Sequence, residues 1–379
     1  MARRVTMHVG LAKTGTTYLQ RVCYTNRRLL KRNGVLYPGA KRASHFKASL
    51  DLREVKFKGH EYPDSEGAWS RLADSVNGYD GTALVSHETL GRATPSAIDK
   101  ALSSFDTDDV QIVFTVRDLA RQVPAVWQEQ LKNQNTIRYQ DFLDAIFGSE
   151  QGRQRDGKFW TGQDIIALAK RWADVIGPQR VTLVTVPPSG GDPQELWRRY
   201  REAVGLPDLD YDLTVAGNSS LGVVEAEILR RLNPRLPDLT WPEYEYRIKR
   251  RFAEFELGAS GSSGRIVVPL QWQPEVERIA ADMRTSIETA GYRIVGDLDD
   301  LRPTFPESTG PLPDELPDDV VLDHALRVLG RLAAAPDPEP VAVPKPRSGR
   351  KARQPQEPVS YRRRVRALAG RARARIVRG

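Results

Sequence analysis

Thiols are almost absent from this 379-residue chain. The single cysteine, Cys23, excludes an internal disulfide framework and any metal centre built on clustered thiolates. One thiol fits a reducing compartment. Long apolar runs are missing as well: no window reaches the roughly 20 apolar residues that a membrane-crossing helix needs. The opening MARRVTMHVGLAK sets two arginines before an apolar stretch, but the stretch is too short for a signal-peptide core and ends at Lys13. These absences lead to the expectation of a soluble, cytoplasmic protein.

Apolar content is 40%, slightly low for a globular chain, and charged content is 28%, slightly high. The formal charge of +8 is unevenly spread. From Lys345 to Gly379 there are thirteen Lys/Arg and one Glu, so this tail carries +12 and leaves −4 on the first 344 residues. The body is mildly acidic, and its charge gives no reason to expect a specific nucleic-acid partner.

The length suits one large α/β domain with an appendage, or two modest domains. Near-continuous Val/Ile/Leu runs recur at 5–11, 35–38, 82–87, 110–116 and 180–186. Helical patterns stand between them, as expected for a parallel sheet of about five strands covered on both faces. Residues 14–33 read as one helix stopped by Gly34, and further helices are expected at 119–132, 162–176, 193–204, 221–232, 242–257, 273–290 and 317–335. The expected organisation is an α/β domain over 1–310, a short helical extension over 311–335, a Pro-rich linker over 336–358 and a basic amphipathic helix over 359–379. The linker holds seven prolines in 23 residues and too little apolar surface to offset the cost of ordering.

The stretch HVGLAKTGTTYLQ, residues 8–20, runs from the first strand through a loop into a helix. Such a junction suits an anion, because unpaired backbone N–H groups converge where the helix dipole favours negative charge. Gly10 ends the strand, and Gly15 lets the backbone approach a phosphate without a Cβ. Thr16 and Thr17 place hydroxyls at the first turn. The Gly10–Gly15 spacing matches G-x-x-x-x-G-K-[ST], yet Thr16 stands where the lysine of that loop would be. The lysine here is Lys13, two residues before Gly15.

The order Lys13-Thr14-Gly15-Thr16-Thr17 followed by YLQ resembles the 5′-phosphosulfate loop of PAPS-dependent sulfotransferases, and GVLYPG at 34–39 is similar to bacterial members of that superfamily. The resemblance spans about residues 1–310 and is sharpest in the first 130. It implies a P-loop type α/β fold and 3′-phosphoadenosine 5′-phosphosulfate (PAPS) as donor, with 3′,5′-ADP as the product. It implies no metal. Lys13 would then face the bridging oxygen, with Gly10, Thr14, Gly15, Thr16 and Thr17 around the phosphosulfate.

The resemblance also implies an arginine after a middle strand, here Arg117 in VRDLARQVPAVWQEQ, for the 3′-phosphate. Guanidinium suits that group because it offers paired donors and stays charged. The family's serine eight residues later is Ala125 here, so Arg121 is the candidate for a second contact. Asn218, Ser219 and Ser220 are candidate donors from the C-terminal third.

For the acceptor proton, open α/β sheets place chemistry at the carboxyl ends of strands. ALVSHETL puts His87 and Glu88 there. Alternation along a strand points them to opposite faces, so one of the two is expected in the cleft, and Glu88 is favoured over His87 as base. His8 is expected in the core. His45 and Lys47 lie where such folds build acceptor pockets, and Trp127, Gln128 and Gln130 are candidate cleft residues.

The expected reaction moves a sulfuryl group to a hydroxyl or amine of a glycan, lipid or small metabolite. Two alternatives stay open: a P-loop small-molecule kinase, and a non-catalytic binding module tethered by its tail. The tail itself suggests weak docking to an anionic inner membrane face.

Overall fold

The computed structural model describes residues 2–334 apart from 63, 216–219, 237–238, 260–262 and 309. The expected linker (336–358), the basic tail (359–379), Asn218 and Ser219 lie outside the described residues. The chain divides into a compact unit, Met1–Leu332, and a remainder, Ala333–Gly379.

Six parallel strands form the sheet: β1 (Arg4–Gly10), β2 (Val35–Leu36), β3 (Thr82–Ser86), β4 (Val110–Val116), β5 (Val181–Thr185) and β6 (Arg293–Val295), in the spatial order β2-β3-β1-β4-β5-β6. β1 lies in register between β3 and β4, with Met7 opposite both Val85 and Ile112. The pairing with β4 slips between His8 and Gly10, where the strand gives way to the loop. β6 adds a strand to the expected five. Its three residues pair Ile294 with Leu183 of β5, too short a run to stand out in the sequence. β2 ends before Tyr37 because Pro38 has no N–H to offer a ladder.

Alternation along the strands splits the apolar residues between two layers. Val5, Met7, Val9, Ile112, Phe114 and Leu183 face the larger core. That layer holds α3 (Ser44–Leu52), α4 (Ala68–Asn77), α5 (Pro95–Ser103), α6 (Leu119–Leu131) and α7 (Ile165–Ile176). Leu84, Val113 and Val184 face the smaller one, packed by α1 (Thr16–Thr25) and by Trp197 and Tyr200 of α8 (Glu195–Val204). Each fully buried Val, Leu or Phe contributes about 1.5–3 kcal/mol of transfer free energy.

The expected helix over 14–33 is broken in two, α1 and α2 (Arg27–Arg32). Asn26 breaks it: Nδ2 donates to the carbonyls of Val22 and Asp212, each at 2.9 Å, and Oδ1 accepts the Asp212 N–H at 3.0 Å. Downstream come α9 (Val223–Leu232), α10 (Gln273–Thr289) and α11 (Asp318–Ala334). The expected helix over 242–257 is a short helix, Trp241–Tyr244, followed by π-helical winding over Glu245–Leu257. Such wide turns recur at functional sites, and this one carries Lys249. α11 buries Val321 and Val328, and its Asp318 accepts from Arg231 at 2.7 Å.

Candidate active site

The parallel strands bring the ends of β1, β3, β4 and β5 to one edge of the sheet, and the loop of residues 10–15 lies there. Gly10, Lys13 and Gly15 take φ of 156°, 69° and 86°. The positive φ favours glycine at position 15, and a Cβ there would also displace the Leu196 side chain, whose Cδ2 would lie 2.5 Å away.

Four successive loop carbonyls are each bound by a side chain, three from the scaffold and one from Thr14 of the loop itself. Thr115 Oγ1 donates to Gly10 O at 3.1 Å, and Thr14 Oγ1 to Leu11 O at 2.6 Å. Gln122 Nε2 donates to Ala12 O at 2.6 Å, and Arg117 Nη1 to Lys13 O at 3.3 Å. The Leu11 N–H is taken by Thr115 O at 2.9 Å. With the carbonyls tied back to β4 and α6, the loop leaves the N–H groups of the α1 first turn as its free polar face. Thr14 is buried and its hydroxyl also lies 2.5 Å from Thr115 Oγ1, which makes it part of the loop's frame. Thr16 and Thr17 open α1, the former buried and the latter half-buried.

Lys13 Nζ lies 2.9 Å from Glu129 Oε2, and Lys249 Nζ lies 2.7 Å from Glu129 Oε1. Asn133 donates to the same carboxylate at 3.2 Å and accepts from Lys249 at 2.9 Å. Burial alone would raise the Glu129 carboxyl, but the two ammonium groups overturn that and hold it far below the ordinary range. Lys132, at the end of α6, is lowered to about 8 by burial and by the charge of Lys13.

Arg117 is largely buried at the end of β4. Burial, then the charges of Arg121 and Arg265, lower it to about 10, against the pull of Asp118. Its Nε is buried without a partner among the described residues. Arg117 and Arg121 stand beside the single carboxylate of Asp118, and the orphaned buried Nε of Arg117 is a donor suited to an anion. Arg121 is already engaged: Nε meets Asp118, and Nη1 donates to Pro187 O at 2.9 Å. It thereby ties the segment after β5 to the start of α6. Ala125 is half-buried within α6.

His87 caps a 3-10 turn that begins at Glu88, and this turn ends the strand's alternation. The two side chains are therefore not held apart as strand neighbours: His87 Nε2 and Glu88 Oε2 approach to 4.0 Å. Glu88 accepts from Gln20 Nε2 at 2.9 Å. Burial would raise its carboxyl, but His87 and the Gln20 bond bring it below the ordinary value. Burial lowers His87, with Arg53 adding to the effect and Glu88 opposing it. His87 Nδ1 accepts the Thr89 N–H at 3.3 Å and lies 2.8 Å from Thr89 Oγ1. Against His87 lies a half-buried aromatic group. Phe46 is 5.1 Å away between centroids, Tyr62 lies beyond it, and Trp241 Nε1 donates to the Tyr62 hydroxyl at 2.8 Å.

Other expected site residues do structural work. His8 is buried as expected, 2.8 Å from Ser86 Oγ and edge-on to Tyr200. His45 is corrected from pocket to frame: Nδ1 accepts the Ser86 N–H at 3.0 Å and Nε2 donates to Pro38 O at 2.7 Å, which pins the chain after β2 to β3. Lys47 lies 3.6 Å from Asp64. Trp127 is buried, donating to Ile137 O; Gln128 accepts the Leu221 N–H; Gln130 accepts from Asn135. None of these three faces the loop. Ser220 is exposed. The residues that the sequence reading missed are Gln122, Glu129, Lys249 and Arg265. Gln122 and Glu129 are seven apart on α6, a helical stripe that the pattern could have flagged.

Fold and loop together define an α/β protein with an all-parallel, helix-flanked sheet and a glycine-containing turn between its first strand and α1. No family model matches the sequence, and no curated protein matches it. Among solved structures the chain is similar to the crystal structure of a sulfotransferase from Alicyclobacillus acidocaldarius, at 20% identity and a TM-score of 0.39, over 57% of this chain and 87% of that one.

Proposed function

We propose that this chain is a sulfotransferase that moves a sulfuryl group from PAPS to a hydroxyl or amine. The observation that carries the reading is the loop: its carbonyls are tied outward, its lysine sits inside the turn at Lys13, and an arginine with an unsatisfied buried donor stands behind it. The donor nucleotide, when bound, supplies the sulfuryl group and leaves as 3′,5′-ADP.

The chain's own residues do the positioning and charge stabilisation. The first-turn amides of α1 with Thr16 and Thr17 hold the 5′-phosphate end. Lys13 exchanges Glu129 for the oxygen on which negative charge develops. Arg117, with Arg265 adding positive charge, takes the 3′-phosphate. In the balanced step the sulfur–oxygen bond to the 5′-phosphate breaks and a bond from sulfur to the acceptor forms. The acceptor proton goes to Glu88. His87, whose Nδ1 is engaged with Thr89 and whose Nε2 lies 4.0 Å from Glu88, serves to orient the Glu88 carboxylate.

Calorimetry with 3′,5′-ADP, ADP and Mg²⁺–ATP tests this. The expected result is binding of 3′,5′-ADP at least tenfold tighter than ADP. Equal or tighter binding of Mg²⁺–ATP would move the chain to the kinases, and no heat from any of the three would remove the enzyme reading.

A further inference from the structure

We propose that the groove beside β2, lined by Arg27, Arg28 and Lys31, binds the carboxylate or sulfate groups of an acidic glycan whose hydroxyl is the acceptor. The acceptor role rests on the sulfuryl-transfer reading; the binding does not.

The first fifty residues contain eleven Lys/Arg and not one Asp or Glu. Since the first 344 carry −4, the stretch from 51 to 344 carries −15. Six of these cations fall on α2 and the segment into α3. Among the described residues, Arg27, Arg28, Lys31, Arg32, Lys41 and Arg42 have no carboxylate within ion-pair distance. Elsewhere the protein pairs its arginines freely: Arg198, Arg199, Arg230 and Arg231 each meet a glutamate. Six like charges left together without counter-charges repel one another, and an anionic ligand relieves that repulsion.

The groove has a volume of about 470 Å³, and Tyr37, Asp74 and Tyr79 complete its charged and aromatic lining. Asp74 is its one acid and pairs with none of the cations. Arg27 is held in place over the Tyr24 ring at 4.1 Å while donating to Tyr24 O at 2.8 Å, and the Tyr79 hydroxyl donates to Lys31 O at 3.0 Å.

Two sets of contacts link the groove's lining and its helices to residues of the candidate active site. Tyr37 stacks on His45, which holds Ser86 just before His87. Gln20, bonded to Glu88, begins the line of side chains that runs through α1 and α2 to Lys31. Gln20 lies in α1 and Lys31 in α2, on either side of the break at Asn26, so a ligand reaching from Glu88 to Lys31 is a chain of several units.

A glycan fits better than the other polyanions. Every exposed large apolar side chain among the described residues lies at Val55 or later, so nothing on this face inserts into a lipid surface. Of the groove's two tyrosines Tyr37 is buried, which leaves only the half-buried Tyr79 as a platform for a nucleic-acid base.

The test compares the full-length wild type with R27E/R28E/K31E, both keeping the basic tail. The probes are polygalacturonate, heparin, neutral dextran, phosphatidylglycerol vesicles and single-stranded DNA. The expected result is wild-type binding of the acidic glycans but not dextran, lost at least tenfold on charge reversal. Vesicle and DNA binding, expected from the tail, stay unchanged. Equal glycan affinity in both proteins, equal binding of dextran, or a matching loss for vesicles or DNA would overturn the proposal. If the triple variant is unfolded by thermal melt, R28A/K31A, confined to two exposed side chains, reports on the same groove with the same two outcomes. Titration of 3′,5′-ADP into both proteins separates the two readings: loss of nucleotide binding in the wild type defeats sulfuryl transfer and leaves the groove result standing.

Discussion

The Lys13 ammonium and the Glu129 carboxylate, 116 residues apart, are 2.9 Å from one another at the mouth of the loop. Glu129 is shared with Lys249, so one carboxylate sits between two cations, and on the proposed reading it is the negative charge that the donor's phosphates meet. Glu129→Gln removes that charge. The expected outcome is tighter binding of 3′,5′-ADP by calorimetry, with a loss of about 1–3 kcal/mol in urea unfolding, because two lysines lose a half-buried partner.

Lys13→Met removes the cation nearest the developing charge. Turnover is expected to fall on the order of 10²–10³-fold or more. The thermal midpoint should stay close to wild type, because Glu129 keeps Lys249 and Asn133. Turnover within a factor of a few of wild type would take the role away from Lys13.

Arg117→Ala tests nucleotide choice. A charge-assisted contact is worth about 1.5–3 kcal/mol, so affinity for 3′,5′-ADP is expected to drop roughly tenfold to a hundredfold while that for ADP barely moves. An equal loss for both ligands would mean that Arg117 acts through the Lys13 carbonyl it holds.

Glu88→Gln and His87→Asn separate the two candidate bases. Glu88 lies below the ordinary carboxylate value, so the wild-type rate should hold through neutral pH and fall only in the acid range where Glu88 takes up a proton. Glu88→Gln should lower kcat by about 10²–10⁴-fold and erase that acid limb. His87→Asn should lower kcat less and leave the limb in place; the reverse ranking reassigns the base to His87.

Acid should destabilise the fold through two histidines with no part in the chemistry. Burial lowers His8 and His45 from 6.5 to about 4, so the unfolded chain binds their protons first as pH falls. Their contribution is complete above pH 6.5 and is lost between 6.5 and about 4, at about 1.4 kcal/mol per pH unit for each group. Urea midpoints over that range should fall steeply in wild type and by about half as much in His45→Gln. An unchanged slope would show that other groups govern acid unfolding.

The sequence made the loop legible because its parts are neighbours in the chain: strand, glycines, lysine and threonines lie within Gly10–Thr17. The parallel sheet was legible for the same reason, since each Val/Ile-rich run is a local signal. What escaped depends on distance. Glu129 and Lys249 meet across 120 residues, and Arg265 acts on Arg117 from a segment with no motif of its own. The break at Asn26 needs the backbone of Asp212, and the meeting of His87 with Glu88 depends on a turn that alternation cannot foresee. β6 is three residues long and is defined by its neighbour.

The tethering of the Gly10, Leu11, Ala12 and Lys13 carbonyls has a consequence for how any ligand binds. The turn holds its shape before a guest arrives, so little conformational entropy remains to be surrendered on association. The penalty moves to distant positions: a change at Thr115 or Gln122, neither of which need touch the guest, would slacken the receptor and weaken capture as surely as a change in the loop itself.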